Sequence, residues 1–234
     1  MVEMSLARRA AIHGVLADPH RLEIVDELAM SDRSPSELGI SRGIGSNLLA
    51  HHLRVLEEAG IVERLASAGD ARRRYVRLVP DAVSVIAEPV ATLVARHVLF
   101  VCTANSARSQ LAAAVWNARH EVPASSAGTR PAERVRGEAI EAAARAGLDL
   151  RWARTRSIDE VTDDPDLIVT VCDIAHEEVR SLPANAKLLH WSIPDPARSR
   201  SPSAFNRALG RLTARVEILA PHVRPPRRPR RSRP

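Results

Sequence analysis

Apolar positions recur with a helical period through the first eighty residues. Ala11, Ile12, Val15 and Leu16 mark one side of a first predicted helix, and Leu22, Val25, Leu28 and Ala29 mark a second. Asp18-Pro19 supplies the second helix with an N-cap and a first-turn proline. Ser34-Pro35-Ser36-Glu37 has the form of a capping box that opens a short helix through Ile40, and SRGIGS after it reads as a turn. Leu49, Leu53 and Leu56, at i, i+4 and i+7, define the buried face of a helix from Ser46 to Glu58 that ends at Gly60. The segment IVERLASAGDARRRYVRLV then carries two short runs around Ser67–Asp70, the pattern of a hairpin. Helices, turn and hairpin in this order predict an α+β winged helix-turn-helix over residues 1–80.

The pattern changes afterwards. Residues 81–96 read as a connecting helix interrupted at Pro89 and a candidate dimerisation element. Val98 to Val101 is a continuous apolar run, the mark of a strand buried on both faces, and a helix from about Ser109 to Arg119 follows it. Ser125–Gly128, Asp166–Cys172 and Lys187–Trp191 read as further strands, alternating with helices such as Ala132–Ala146 and Ser203–Leu219. Such alternation predicts a three-layer α/β domain with a parallel sheet over residues 97–220 and its site at the strands' C-terminal ends. Cys102, Cys172 and Asp195 all fall at or just beyond such ends.

Charge sharpens this picture by subtraction. The formal excess of +6 equals the six arginines at 224, 227, 228, 230, 231 and 233, in a Pro/Arg run that is expected to form a disordered tail over residues 221–234. Residues 1–96 hold 12 arginines against 13 acids, so the case for DNA rests on arrangement rather than on field strength. The opening MVEMSLARRA leads into no long apolar core, which argues against a secretory signal. The apolar stretch from Val83 to Val101 is broken by Glu88, Pro89, Arg96 and His97 and is too polar to span a membrane. Two cysteines without a signal peptide point to thiol chemistry or burial, and the expected compartment is the cytoplasm.

In the first unit, the non-core face of the Ser46–Glu58 helix offers Asn47, Ala50, His51 and Arg54 to base edges or phosphates. Arg72, Arg73, Arg74 and Arg77 on the hairpin are placed to meet phosphates or the minor groove. Adjacent helical residues point about 100° apart. The pair His51-His52 is therefore expected to be solvated or DNA-facing, and no metal is expected. LADPHRLEIVDEL, SPSEL and NLLAHHLRVLEEAGIVE together resemble the ArsR-type winged-helix repressors, over roughly Leu6 to Leu78. The resemblance implies a homodimer on operator DNA. It departs from the family's arsenic sensors in one respect: SELGISRG has no cysteine pair, so a thiolate inducer site there is excluded.

In the second unit, Cys102 and Arg108 bracket a strand–loop–helix turn of the form C-x-x-x-x-x-R-S. Successive N–H groups of the loop (Thr103, Ala104, Asn105, Ser106, Ala107) and the helix N-terminus are expected to point into one concavity suited to a tetrahedral oxyanion. Arg108 adds a bidentate fork, and the positive field favours a nucleophilic thiolate at Cys102. Ser109 is placed to donate to that sulfur, and Asn105 to hold the loop.

VLFVCTANSARSQLA, SSAGT, DLIVTVCD and HWSIPDPA resemble low-molecular-weight tyrosine phosphatases and, more closely, the arsenate reductases built on that fold. The resemblance implies that Cys102 is the nucleophile, Arg108 the oxyanion ligand, Asp195 the general acid and Cys172 the resolving cysteine. The alternative for Cys172 is a buried thiol without a redox role. Ala197 follows Asp-Pro where the phosphatases have a tyrosine, and the only tyrosine, Tyr75, lies in the first unit, which favours arsenate reductase. Val179 stands where thioredoxin-coupled members have a third cysteine. Two routes therefore stay open: attack by Cys172, or attack by a small thiol. No bound cofactor is expected, and an external thiol reductant of thioredoxin, glutaredoxin or mycothiol type must restore Cys102. The chain is thus expected to be a repressor fused to a reductase. Its alternatives are a regulator that only senses oxyanion or redox state, and a tyrosine phosphatase.

Overall fold

The computed structural model describes residues 5–79, 92–179, 185–199, 201 and 203–226. The chain divides into two compact units, residues 1–90 and 91–234. No helix among the described residues is long and apolar enough to cross a membrane.

Unit 1 contains α1 (Leu6–Leu16), α2 (Pro19–Met30), α3 (Pro35–Arg42), α4 (Ser46–Glu58), β1 (Val62–Ala66) and β2 (Arg74–Leu78). Side-chain capping sets the starts of α2 and α3. Asp18 accepts from the Arg21 N–H ahead of Pro19, and Ser34 and Glu37 close a reciprocal capping box ahead of Pro35; each cap is worth about 1 kcal/mol. Gly43, in the left-handed region at φ 64°, ends α3 and lets the chain turn into α4. Ile12, Ile24, Leu28, Leu38, Leu53, Leu56, Ile61 and Val76 form the centre of the core.

The apolar period is correct in outline and wrong at individual positions. Ala11 and Leu22 are exposed, and Ile24 takes the place expected for Leu22. α3 runs two residues beyond Ile40, which is itself exposed, so the turn narrows to residues 43–45. β1 and β2 pair antiparallel with Val62 opposite Leu78. Ser67 shapes their connection by accepting from the N–H groups of Gly69 and Asp70.

Unit 2 contains β3 (Leu93–Val94), β4 (Val98–Cys102), α5 (Arg108–Asn117), β5 (Ala124–Gly128), α6 (Gly137–Arg145), β6 (Leu167–Thr170), α7 (Asp173–Glu178), β7 (Lys187–His190), α8 (Ala204–Leu219) and β8 (Val223–Arg224). Four strands form a parallel sheet in the order β5-β4-β6-β7. Every residue of β4 and β6 is buried, so both faces of the sheet are covered. The chain order reverses at β4, which opens a crevice between the C-terminal ends of β4 and β6.

Three expectations need correction here. Leu93-Val94 is a strand paired in parallel with Val223-Arg224, not the end of a connecting helix; the rest of that predicted helix, residues 81–91, lies outside the described residues. The same pairing places Val223 and Arg224 in the fold, so a tail assigned from 221 begins too early. The helix predicted from Ala132 starts at Gly137, because residues 129–136 are drawn over the Cys102 loop. Thr129, Arg130, Ala132 and Arg136 donate their N–H groups to the carbonyls of Cys102, Thr103, Ala104 and Ser106.

Candidate active site and nucleic-acid interface

The carbonyls of the loop after β4 point outward to residues 129–136, and that sets the direction of its amides. Among the described residues the N–H groups of Ala104, Ser106 and Ala107 meet no acceptor, and that of Asn105 is directed at Cys102 Sγ at 3.2 Å. Amides of that kind, next to the N-terminus of α5, form a cradle for an anion. The loop packs tightly against β5. A Cβ on Gly128 would lie 2.6 Å from Thr103 O and 3.0 Å from Asn105 N, so only glycine fits there.

Asn105 organises the interior. It takes the left-handed conformation (φ 48°) and is fully buried. Its Oδ1 accepts from the Arg156 N–H at 2.9 Å and from Gln110 Nε2 at 3.2 Å, which fixes its amide orientation. Its Nδ2 therefore donates to Ser109 Oγ and Ser126 Oγ, both at 2.9 Å. With its oxygen already accepting from Asn105, Ser109 has its hydroxyl proton free for Cys102 Sγ, 3.0 Å away. Cys102 at the end of β4 thus receives two donors while 2% exposed.

Arg108 is buried at the start of α5. It donates to Ile193 O at 3.0 Å and lies 3.4 Å from Asp195 Oδ2. Asp195 caps the short turn after it by accepting from the Ala197 N–H, and its side chain is 31% exposed. Cys172 follows β6 as the N-cap of α7, with Thr103 Oγ1 3.3 Å from its sulfur. Burial pushes the Cys172 thiol up; the Arg108 charge opposes this, and a negative charge on Cys102 adds to it. α7 is held to the sheet through Asp173, which lies 3.2 Å from Nε2 of the buried His190. At its other end Glu178 accepts from Thr129 Oγ1 and pairs with Arg130, each at 2.6 Å.

Gln110, Ser126, Gly128, Arg156 and Glu178 belong to this site without having been singled out in the sequence. Their partners are 5 to 51 residues away along the chain, and only Gly128, at the end of a short strand, carried a local signal.

In unit 1, Asn47, Ala50, His51 and Arg54 are exposed on α4, and Arg72, Arg73 and Arg74 on the hairpin. Arg54 pairs with Glu58 at 2.9 Å, and Arg72 with Asp70 at 3.3 Å. Arg77 is not presented outward: it pairs with Glu63 across the hairpin at 2.7 Å. His52 is buried rather than solvated, with neither ring nitrogen hydrogen-bonded. Burial lowers its pKa, and Asp18, 3.8 Å away, pulls the other way.

Residues 97–227 match the model of the low molecular weight phosphotyrosine protein phosphatase family. The chain belongs to that family. Residues 16–64 match a helix-turn-helix domain, in line with the ArsR-type resemblance of unit 1. Within the family, similar curated proteins are arsenate reductases. One from Bacillus cereus is 33% identical over 129 residues, which cover 53% of this chain and 94% of that protein. One from Staphylococcus haemolyticus is 34% identical over 126 residues, covering 52% and 94% respectively. Among solved structures, an arsenate reductase from Archaeoglobus fulgidus shares 38% identity, covers 53% of this chain and 98% of its own, and has a TM-score of 0.46.

Proposed function

We propose that this chain is a DNA-binding repressor whose phosphatase-family unit reduces arsenate with thiols. One observation carries the enzymatic half: Cys102, with two donors on its sulfur, sits in a loop of inward amides closed by Arg108 and Asp195, with a second thiol alongside. Cys102 Sγ attacks arsenic bound by the loop amides and Arg108, and Asp195 gives a proton to the departing oxygen, which leaves as water. A thiol then attacks Cys102 Sγ. A disulfide forms and the S–As bond breaks with its electron pair passing to arsenic, which departs as arsenite. That thiol is Cys172 or a small external one, and a donor of thioredoxin, glutaredoxin or mycothiol type restores Cys102. Ala197 beside the acid offers no ring to an aryl phosphate, which favours a small inorganic oxyanion over phosphotyrosine.

For the regulatory half, the exposed face of α4 and the hairpin arginines meet operator DNA. A homodimer is the assembling form, and the exposed Leu6 and Leu22 are apolar surface for a second copy to cover. The decisive measurement is arsenite formation from arsenate with each donor class, in wild type and Cys102→Ser. Thiol-dependent arsenite that disappears in the variant is expected. No arsenite with any donor sinks the reductase reading, and hydrolysis of an aryl phosphate in its place would assign the site to a phosphatase.

A further inference from the structure

The whole chain has two cysteines, Cys102 and Cys172. They sit one and two residues beyond the last pair of adjacent parallel strands, where Val101 faces Thr170 and the Val171 N–H donates to Val101 O at 2.7 Å. Thr103, next to Cys102, has its hydroxyl 3.3 Å from Cys172 Sγ, and each cysteine is 2% exposed. We propose that the two sulfurs, once reduced, chelate trivalent arsenic, so that the site rebinds the product of its own reaction. The identity of that ligand as product rests on the reductase reading; the chelate itself rests on the placement of the two thiols.

The step is a condensation without electron transfer. Arsenous acid, As(OH)3, exchanges two hydroxyls for the two sulfurs, each thiol proton leaves with a hydroxyl as water, and arsenic stays trivalent with one hydroxyl. Soft thiolate ligands suit such a centre. The adduct is neutral, and a buried site that penalises a second thiolate charge tolerates it.

Binding and turnover exclude each other in time. A Cys102–Cys172 disulfide has no free thiol, so arsenite is held only after a donor has reduced the site. Unit 1 contributes no cysteine. A thiol-borne arsenic signal in this chain therefore has these two sulfurs and no others to arise from.

The test uses the full-length chain, reduced with a phosphine and titrated with sodium arsenite. Intact mass gives the stoichiometry, and free thiols are counted with a chromogenic disulfide. One arsenic per chain with both thiols blocked is expected. Cys102→Ser and Cys172→Ser should each weaken binding at least about a hundredfold, because the second bond of a chelate is intramolecular. Two free thiols at saturating arsenite, or equal affinity in either variant, would overturn the proposal. Should a variant fail to fold, the wild-type thiol count alone decides. Arsenate turnover is measured on the same preparation. Arsenite capture without turnover removes the reductase reading and leaves the chelate, whereas turnover with no capture does the reverse.

Discussion

Replacing Gly128 by alanine tests the idea that the anion cradle owes its shape to a backbone contact. Gly128 ends β5 directly opposite Cys102. The added Cβ would stand 2.6 Å from Thr103 O, and 3.0 Å from both N and Cβ of Asn105. Carbon contacts settle near 3.5–4.0 Å, so the loop must retreat by roughly 1 Å. Two of the three opposing atoms are backbone, so no rotamer change relieves the clash. Overpacking of this kind costs about 1–3 kcal/mol. A displacement of about 1 Å at the reacting centre costs on the order of a hundredfold in rate. Urea unfolding followed by tryptophan fluorescence reads the first quantity, since Trp116 and Trp191 are buried in unit 2. Initial rates of arsenite production at subsaturating arsenate read the second. A variant that keeps wild-type stability and stays within threefold of the wild-type rate would show that the loop tolerates the retreat, and the cradle argument would fail.

Three further outcomes follow from the same contacts. Asn105→Ala removes the bonds to Ser109, Ser126, Arg156 and Gln110 and puts alanine, which tolerates the left-handed region less well than asparagine, at φ 48°. A loss of about 3 kcal/mol is expected. Asn105→Gly relieves the backbone alone, so if it restores full activity the hydrogen-bond network is irrelevant. The low pKa of the buried His52 means that the folded state resists a proton the unfolded state accepts. The stability of unit 1 is thus full above about pH 6.5 and falls as the pH drops below it. His52→Leu should flatten the difference in urea midpoint between pH 7.5 and pH 5, and an unaltered difference refutes this assignment. Arg73→Ala with Arg74→Ala, and separately removal of residues 225–234, should each reduce the salt slope of DNA binding without changing operator preference. A changed preference in gel shifts with variant operators would contradict a role limited to phosphates.

Local features were legible wherever the physics is local. The Asp18 N-cap, the Ser34 capping box, the leucines of α4, the hairpin and the apolar run before Cys102 involve residues within a few positions of each other, and the structure places them as the pattern predicts. Errors arose where the period was not followed through and where packing outranks it. His52 stands three residues after Leu49 and four before Leu56, on the buried face of α4, where α2 covers it and brings His20 within 5.4 Å. Residues 132–136 have helical composition, but the exposed carbonyls of the Cys102 loop claim their amides.

By itself the sequence determined the two-unit plan, the type and order of most elements, and the chemistry available: one nucleophile, one guanidinium, one acid and a second thiol. Adjacent side chains and short-range hydrogen bonds encode such features. Tertiary structure alone decided which groups serve Cys102. Asn105 orients Ser109 only because Gln110 and Arg156 fix its amide, and Gly128 admits the loop only because β5 pairs with β4 in that register. Those contacts join residues tens of positions apart, and no periodicity or spacing along a chain records a distance that exists only after the sheet has formed.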